Sequence, residues 1–205
     1  MYKTLAHSGE FKQVIERSTF IARAEHIESE EEAQKVIGEE KKKYPDARHC
    51  CWAYILGEGS DRLRYSDDGE PQGTAGLPML DVLKKQGITN TVLAVTRYFG
   101  GILLGTGGLT RAYSSSATGA IESGTVAVMT ETLEITVEVD YSLLPRLTNY
   151  LKGKEVKTKN TEYLEKVIVH LLVRAEEGES IKTSITDCLY GKCVIKEAAK
   201  FFSAF

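Results

Sequence analysis

The chain has 205 residues, 42% of them apolar and 27% charged, with a net charge of −3. At this length a folded core buries ~70% of the unfolded surface without disulfides or metals. The composition excludes a disordered chain, a helical membrane span, which needs ~20 consecutive apolar residues, and a protein whose overall field gathers polyanions.

The first residues, Met1-Tyr2-Lys3-Thr4-Leu5, carry no apolar signal core, so a cytoplasmic protein is expected. Alternation around Val14, Arg17 and Phe20-Ile21 predicts two short strands within residues 2–26. Ser29 followed by Glu32 is a capping box, and a helix is predicted from Glu30 to Lys43. Acids in its first turn and Lys41-Lys42-Lys43 in its last suit the macrodipole, and Pro45 stops it. Residues 48–56 read as a strand with Leu63–Tyr65 returning, and residues 66–76 as a loop dense in turn formers. A helix from Leu77 to Gln86 and a strand over Thr91–Tyr98 follow, then five glycines within residues 100–108 and a helix from Leu109 to Ser123. Beyond a boundary near Met129–Thr132 the pattern is strand (Leu133–Tyr141), helix (Leu143–Lys152), strands Glu155–Tyr163 and Lys166–Arg174, helix (Gly178–Leu189) and strand (Lys192–Ala198). That βαββαβ order is the ferredoxin-like arrangement. The fold class is therefore α+β in two domains, 1–130 and 131–205.

Charge is evenly spread except in one place. Between Asp81 and Glu122 there is no acid, while Lys84, Lys85, Arg97 and Arg111 are basic. Within this stretch a strand end, a glycine-rich loop and a helix start offer free backbone N–H groups and a favourable dipole to an anion. Arg97, Tyr98, Gly100, Gly101, Gly105, Thr106, Gly107, Gly108 and Arg111 form the candidate anion- or RNA-binding set. The two arginines supply charge-assisted bonds, and Tyr98 and Phe99 aromatic faces. The alternative is that the glycines only permit tight turns and close packing, and Leu109, Ala112, Tyr113, Ala117, Ala120 and Ile121 do make a face suited to a sheet. The spacing is neither a Walker A loop nor GxGxxG.

A second candidate is the loop with Asp67, Asp68, Gly69, Glu70, Gly73 and Thr74. Three carboxylates in four residues suit Mg²⁺ or general-base work, although Asp-Gly equally signals a turn. No residue is assigned to catalysis or to a metal. His49 reads as a structural histidine, and Cys50, Cys51, Cys188 and Cys193 as free thiols.

With these residues in hand the chain resembles the YigZ/IMPACT family. The resemblance rests on Pro45–Cys50, on Ser66–Leu80 and on Arg97–Arg111, and it extends over essentially the whole sequence. Ser114, where glycine is common, is a mild departure. The resemblance implies an N-terminal α/β sandwich like the second domain of the fifth small-subunit ribosomal protein. It also implies a C-terminal domain like the last domain of elongation factor G. Eukaryotic relatives regulate translation using an additional RWD domain, and that specific role is not carried over.

The expected function is a non-enzymatic, translation-associated regulator that binds RNA or the ribosome, without a cofactor and without a membrane. An enzyme or binding protein for a phosphorylated small molecule with Mg²⁺, and a protein-interaction module, are the alternatives. Whether the acidic loop and the glycine-rich helix start share one cleft is left open by the residues alone.

Overall fold

Alternating strands build the first sheet. The computed structural model describes residues 1–204. β1 (Tyr2–His7) stands outside this sheet. β2 (Gly9–Ile15), β3 (Ser18–His26), β4 (His49–Leu56), β5 (Arg62–Ser66) and β6 (Thr91–Tyr98) pair antiparallel in the order β2-β3-β6-β4-β5. Residues 2–26 thus hold three strands where two were expected. The β2–β3 turn is made by Glu16 and Arg17, both at positive φ (45° and 63°). That is the primed hairpin geometry, which usually announces itself with Asn or Gly and here does not.

Period two sends successive side chains to opposite faces. Cys51, Ala53 and Ile55 of β4 join Leu93 and Val95 of β6 and Phe20, Ala22 and Ala24 of β3 in the larger core. α2 (Gly76–Gln86) and α3 (Gly105–Ser123) cover that face with Met79, Leu83, Leu109, Ala112, Tyr113 and Ala117. Tyr54, Leu56 and Val92 point the other way and meet Ala33, Val36 and Ile37 of α1 (Glu30–Lys43). Helix α1 has the predicted limits. Ser29 Oγ accepts from the Glu32 amide at 3.1 Å, while the Glu32 carboxylate reaches back to the Glu28 amide at 2.7 Å.

Helix α3 starts four residues before the predicted Leu109. Its small residues let it lie close to the sheet: a Cβ on Gly119 would stand 2.5 Å from the Phe11 ring.

The chain divides into two compact units, Met1–Val128 and a second from Met129 on. The second unit comprises β7 (Thr125–Val139), α4 (Leu144–Leu151), β8 (Val156–Tyr163), β9 (Val167–Arg174), α5 (Gly178–Cys188) and β10 (Cys193–Ala204). β7 begins before the division, eight residues earlier than predicted, because the β-branched alternation runs back without a break to Thr125. β10 continues past Ala198 through a register shift between Glu197 and Ala199. The strands pair antiparallel in the order β10-β7-β9-β8, the ferredoxin-like topology. Leu133, Ile135, Val137 and Val139 alternate into a core with Val167, Val169, Leu171 and Val173, closed by Leu147 of α4 and Ile185 of α5. Among the described residues no helix is long and apolar enough to cross a membrane.

Candidate functional site

The acidic loop is an internal scaffold. The Asp67 carboxylate accepts three backbone N–H bonds, from Gly73 (2.8 Å), Ala75 (3.0 Å) and Gly76 (2.8 Å). It thereby folds the loop onto itself and caps α2, whose N-cap residue, Ala75, supplies no side-chain bond. Asp68, at φ +43°, accepts from the Cys50 amide at 2.8 Å and pairs with Lys41 at 2.9 Å. Burial pushes its pKa up, but the Cys50 N–H and the Lys41 ammonium outweigh that, so its net position is below the usual carboxylate value. Gly69 and Gly73 adopt left-handed backbone (φ +87° and +76°), and the buried Thr74 hydroxyl donates to Pro71 O at 2.6 Å.

Glu70 is buried. Its Oε1 accepts from Arg97 Nη1 at 2.7 Å and from the Tyr113 hydroxyl at 2.8 Å. The three carboxylates therefore diverge to separate partners, whereas Mg²⁺ needs oxygens that converge. No group of three His, Cys, Asp or Glu side chains suited to a metal occurs among the described residues. The loop therefore offers no convergent Mg²⁺ set among the described residues.

Three members of the glycine-segment set, Arg97, Tyr98 and Gly100, are corrected. Arg97 is not a free cation. It is 5% exposed, ion-paired to Glu70, bonded through Nη2 to Ser18 Oγ at 3.2 Å, and 5.5 Å from the ring centroids of Phe20 and Phe99. Period two explains this, because Arg97 shares its face with Leu93 and Val95. The same rule sends Tyr98 to the opposite face, where it meets Tyr44 edge-on at 6.4 Å. Gly100 serves packing: its amide donates to Ser18 Oγ, and a Cβ there would stand 2.0 Å from the Arg17 carbonyl carbon. Gly101 and Gly105 are left-handed (φ +85° and +67°).

The remaining members stay available. Among the described residues no side chain caps the start of α3, and its first turn contains no acid. Gly105, Thr106 and Gly107 are exposed, as is Arg111, which makes no ion pair among the described residues. One cavity of about 330 Å³ borders this helix start. It is lined by Arg48, His49, Glu70, Pro71, Arg97, Phe99, Leu103, Leu104, Gly105, Thr106 and Leu109. The acidic loop, through Glu70 and Pro71, and the helix start thus share a cleft. Asp67, Asp68 and Arg111 do not line it.

Arg48 and His49 join the site from outside the predicted set. Arg48 is exposed and without an ion pair among the described residues. His49 pairs in register with Arg97, so strand parity alone places both on the cavity face. Its Nδ1 lies 2.8 Å from Asp68 O. A carbonyl only accepts, so Nδ1 carries the proton, and in the neutral ring Nε2 is an acceptor. Behind the cavity, Cys51 Sγ donates to Asp67 O at 2.9 Å and lies 3.4 Å from the Tyr113 hydroxyl. Burial pushes both the thiol and the phenol up, so both stay protonated and Cys51 is no nucleophile.

The Impact N-terminal domain matches residues 16–121, and a domain of unknown function, DUF1949, matches residues 137–192. The chain belongs to the IMPACT family. IMPACT family member YvyE of Bacillus subtilis is 39% identical over 96% of this IMPACT-family chain and 90% of its own length. IMPACT family member YigZ of Escherichia coli is 35% identical over 84% of this chain and 86% of its own. A solved structure described as a hypothetical protein aligns with TM-score 0.62 at 32% identity, covering 97% of each chain. The structure of the two-domain translational regulator Yih1 is 26% identical, covering 58% of this chain and 47% of its own, with TM-score 0.37.

Proposed function

We propose that this IMPACT-family chain is a non-enzymatic, translation-associated regulator. It holds RNA, free or in the ribosome, by a phosphate at the Gly105–Gly108 start of α3. The observation that carries this reading is the exposed, uncapped and acid-free first turn of α3. Such a turn presents unpaired N–H groups and the positive end of the dipole. Arg48 borders the same cavity, and Arg111 follows on the next turn of the helix. Family membership supports the association with translation. The inward commitment of Asp67, Asp68 and Glu70 supports a binding role over catalysis.

The protein-docking alternative has less behind it. The sheet face of the second unit that lies opposite its core carries Glu134, Glu138 and His170. They are tied up with Lys159 (2.7 Å), Lys166 (3.0 Å) and Glu162 (2.9 Å). Such a face is internally paired.

Because the chain is net negative, the binding should be weak and steeply dependent on salt. Filter retention of a single-stranded ribo-oligonucleotide across a salt series tests it. Replacing Arg48 and Arg111 together by alanine should lower the slope of log K against log salt by ~1.4, since each lost single-strand contact removes ~0.7. No retention at low salt, or an unchanged slope, would contradict the proposal.

A further inference from the structure

A phosphate on the backbone of α3 needs no cavity beside it, yet one is there. Its volume, about 330 Å³, reaches the ~300 Å³ at which pockets for small organic molecules begin. The lining is divided by chemistry. Pro71, Phe99, Leu103 and Leu109 give apolar wall, and Phe99 is 42% exposed with the Arg97 guanidinium 5.5 Å from its centroid. The polar groups are few and specific. Arg97 is buried, and its Nε–H, sealed from solvent, has no hydrogen-bond partner among the described residues; the donors within reach of the cavity are the exposed Arg48 guanidinium and the Thr106 hydroxyl. His49 offers an acceptor at Nε2, because its Nδ1 proton is held by Asp68 O. The Glu70 carboxylate completes the set.

We infer that this cavity receives the base of one unpaired nucleotide whose phosphate lies on the start of α3. The inference rests on the phosphate reading above and adds the chemical class of what enters. A nucleobase is a flat ring with apolar faces and a polar edge. It matches a pocket with one aromatic wall, aliphatic sides and a few polar groups, Arg48 and Thr106 as donors and His49 Nε2 as an acceptor. A sugar phosphate would set hydroxyls against Phe99 and Leu109, which cannot bond them. A base in a duplex is stacked on both faces and cannot enter unless it is flipped out.

The test uses the intact protein and four probes: a single-stranded ribo-oligonucleotide, its duplex, adenosine 5′-monophosphate and ribose 5-phosphate. The single strand should bind at least about tenfold more tightly than the duplex. Adenosine 5′-monophosphate should displace it at concentrations where ribose 5-phosphate does not. Phe99→Ala should weaken the single strand about tenfold, the loss of one base–aromatic stack, at unchanged salt slope. Equal affinity for single strand and duplex, or equal competition by the two small phosphates, would overturn the base pocket and leave the phosphate reading standing. Binding of adenosine 5′-monophosphate without any RNA retention would overturn the RNA reading and make the cavity a site for a free nucleotide. The comparisons made on the wild-type protein do not depend on the folding of Phe99→Ala.

Discussion

Replacing Arg97 by methionine is expected to lower the free energy of unfolding by about 3–5 kcal/mol, the usual loss when one member of a buried ion pair is removed. The substitution leaves Glu70 charged and buried with only the Tyr113 hydroxyl as a strong donor. It also frees Ser18 Oγ of one of its two donors, the other being the Gly100 amide. Glu70→Gln should be destabilising for the complementary reason, since Arg97 is then the uncompensated charge. The double variant, Arg97→Met with Glu70→Gln, should recover a large part of the loss, because no buried charge remains. Urea denaturation of the three variants measures this. If Arg97→Met unfolds within about 1 kcal/mol of the parent, the pair behaves as a surface salt bridge and Arg97 is not the buried wall of the cavity.

Thr106→Glu separates a binding helix start from a merely structural one. Thr106 is exposed in the first turn of α3. A carboxylate there interacts favourably with the helix dipole by about 0.3–1 kcal/mol, so the melting temperature should hold or rise. A phosphate bound to the same amides would meet that carboxylate as a like charge. At 4 Å the repulsion is about 1 kcal/mol in bulk water and about 4 kcal/mol near a protein surface. The lower figure already corresponds to roughly fivefold weaker RNA binding. A protein that becomes more stable while losing its RNA is the signature of an anion site. Equal RNA affinity in parent and variant would assign the glycines to packing alone.

Much of the framework was legible because period-two alternation and capping chemistry are local. Thr91–Tyr98 carries its two faces in its own residues, and Ser29 with Glu32 marks the start of α1. The βαββαβ order of the second unit follows from alternation and turn residues alone. Helix α3 was misplaced for a physical reason. Glycine is about 1 kcal/mol worse than alanine in a helix, so propensity starts the helix after Gly108, whereas tertiary packing starts it at Gly105. The Glu16–Arg17 turn was hidden because neither residue is a habitual left-handed one.

The site divides in the same way. Strand parity, applied strictly, turns Arg97 inward and Tyr98 outward, and the β4–β6 register then puts His49 beside Arg97. The partner of Arg97 was not legible. Glu70 is 27 residues away, across the intervening helix α2, and its place depends on Asp67 gathering three amides. Motif resemblance marked both segments as special, but only the fold shows that one braces the wall of a cavity and the other opens onto it.

Titrating the isotopically labelled protein with a single-stranded ribo-oligonucleotide, and following its backbone amide resonances, examines the helix start itself. The N–H signals of Gly105, Thr106, Gly107 and Gly108 should move first and furthest, with His49 and Arg48 following and residues of the second unit barely affected. Saturating shifts confined to the second unit, with those four amides unmoved, would contradict the account.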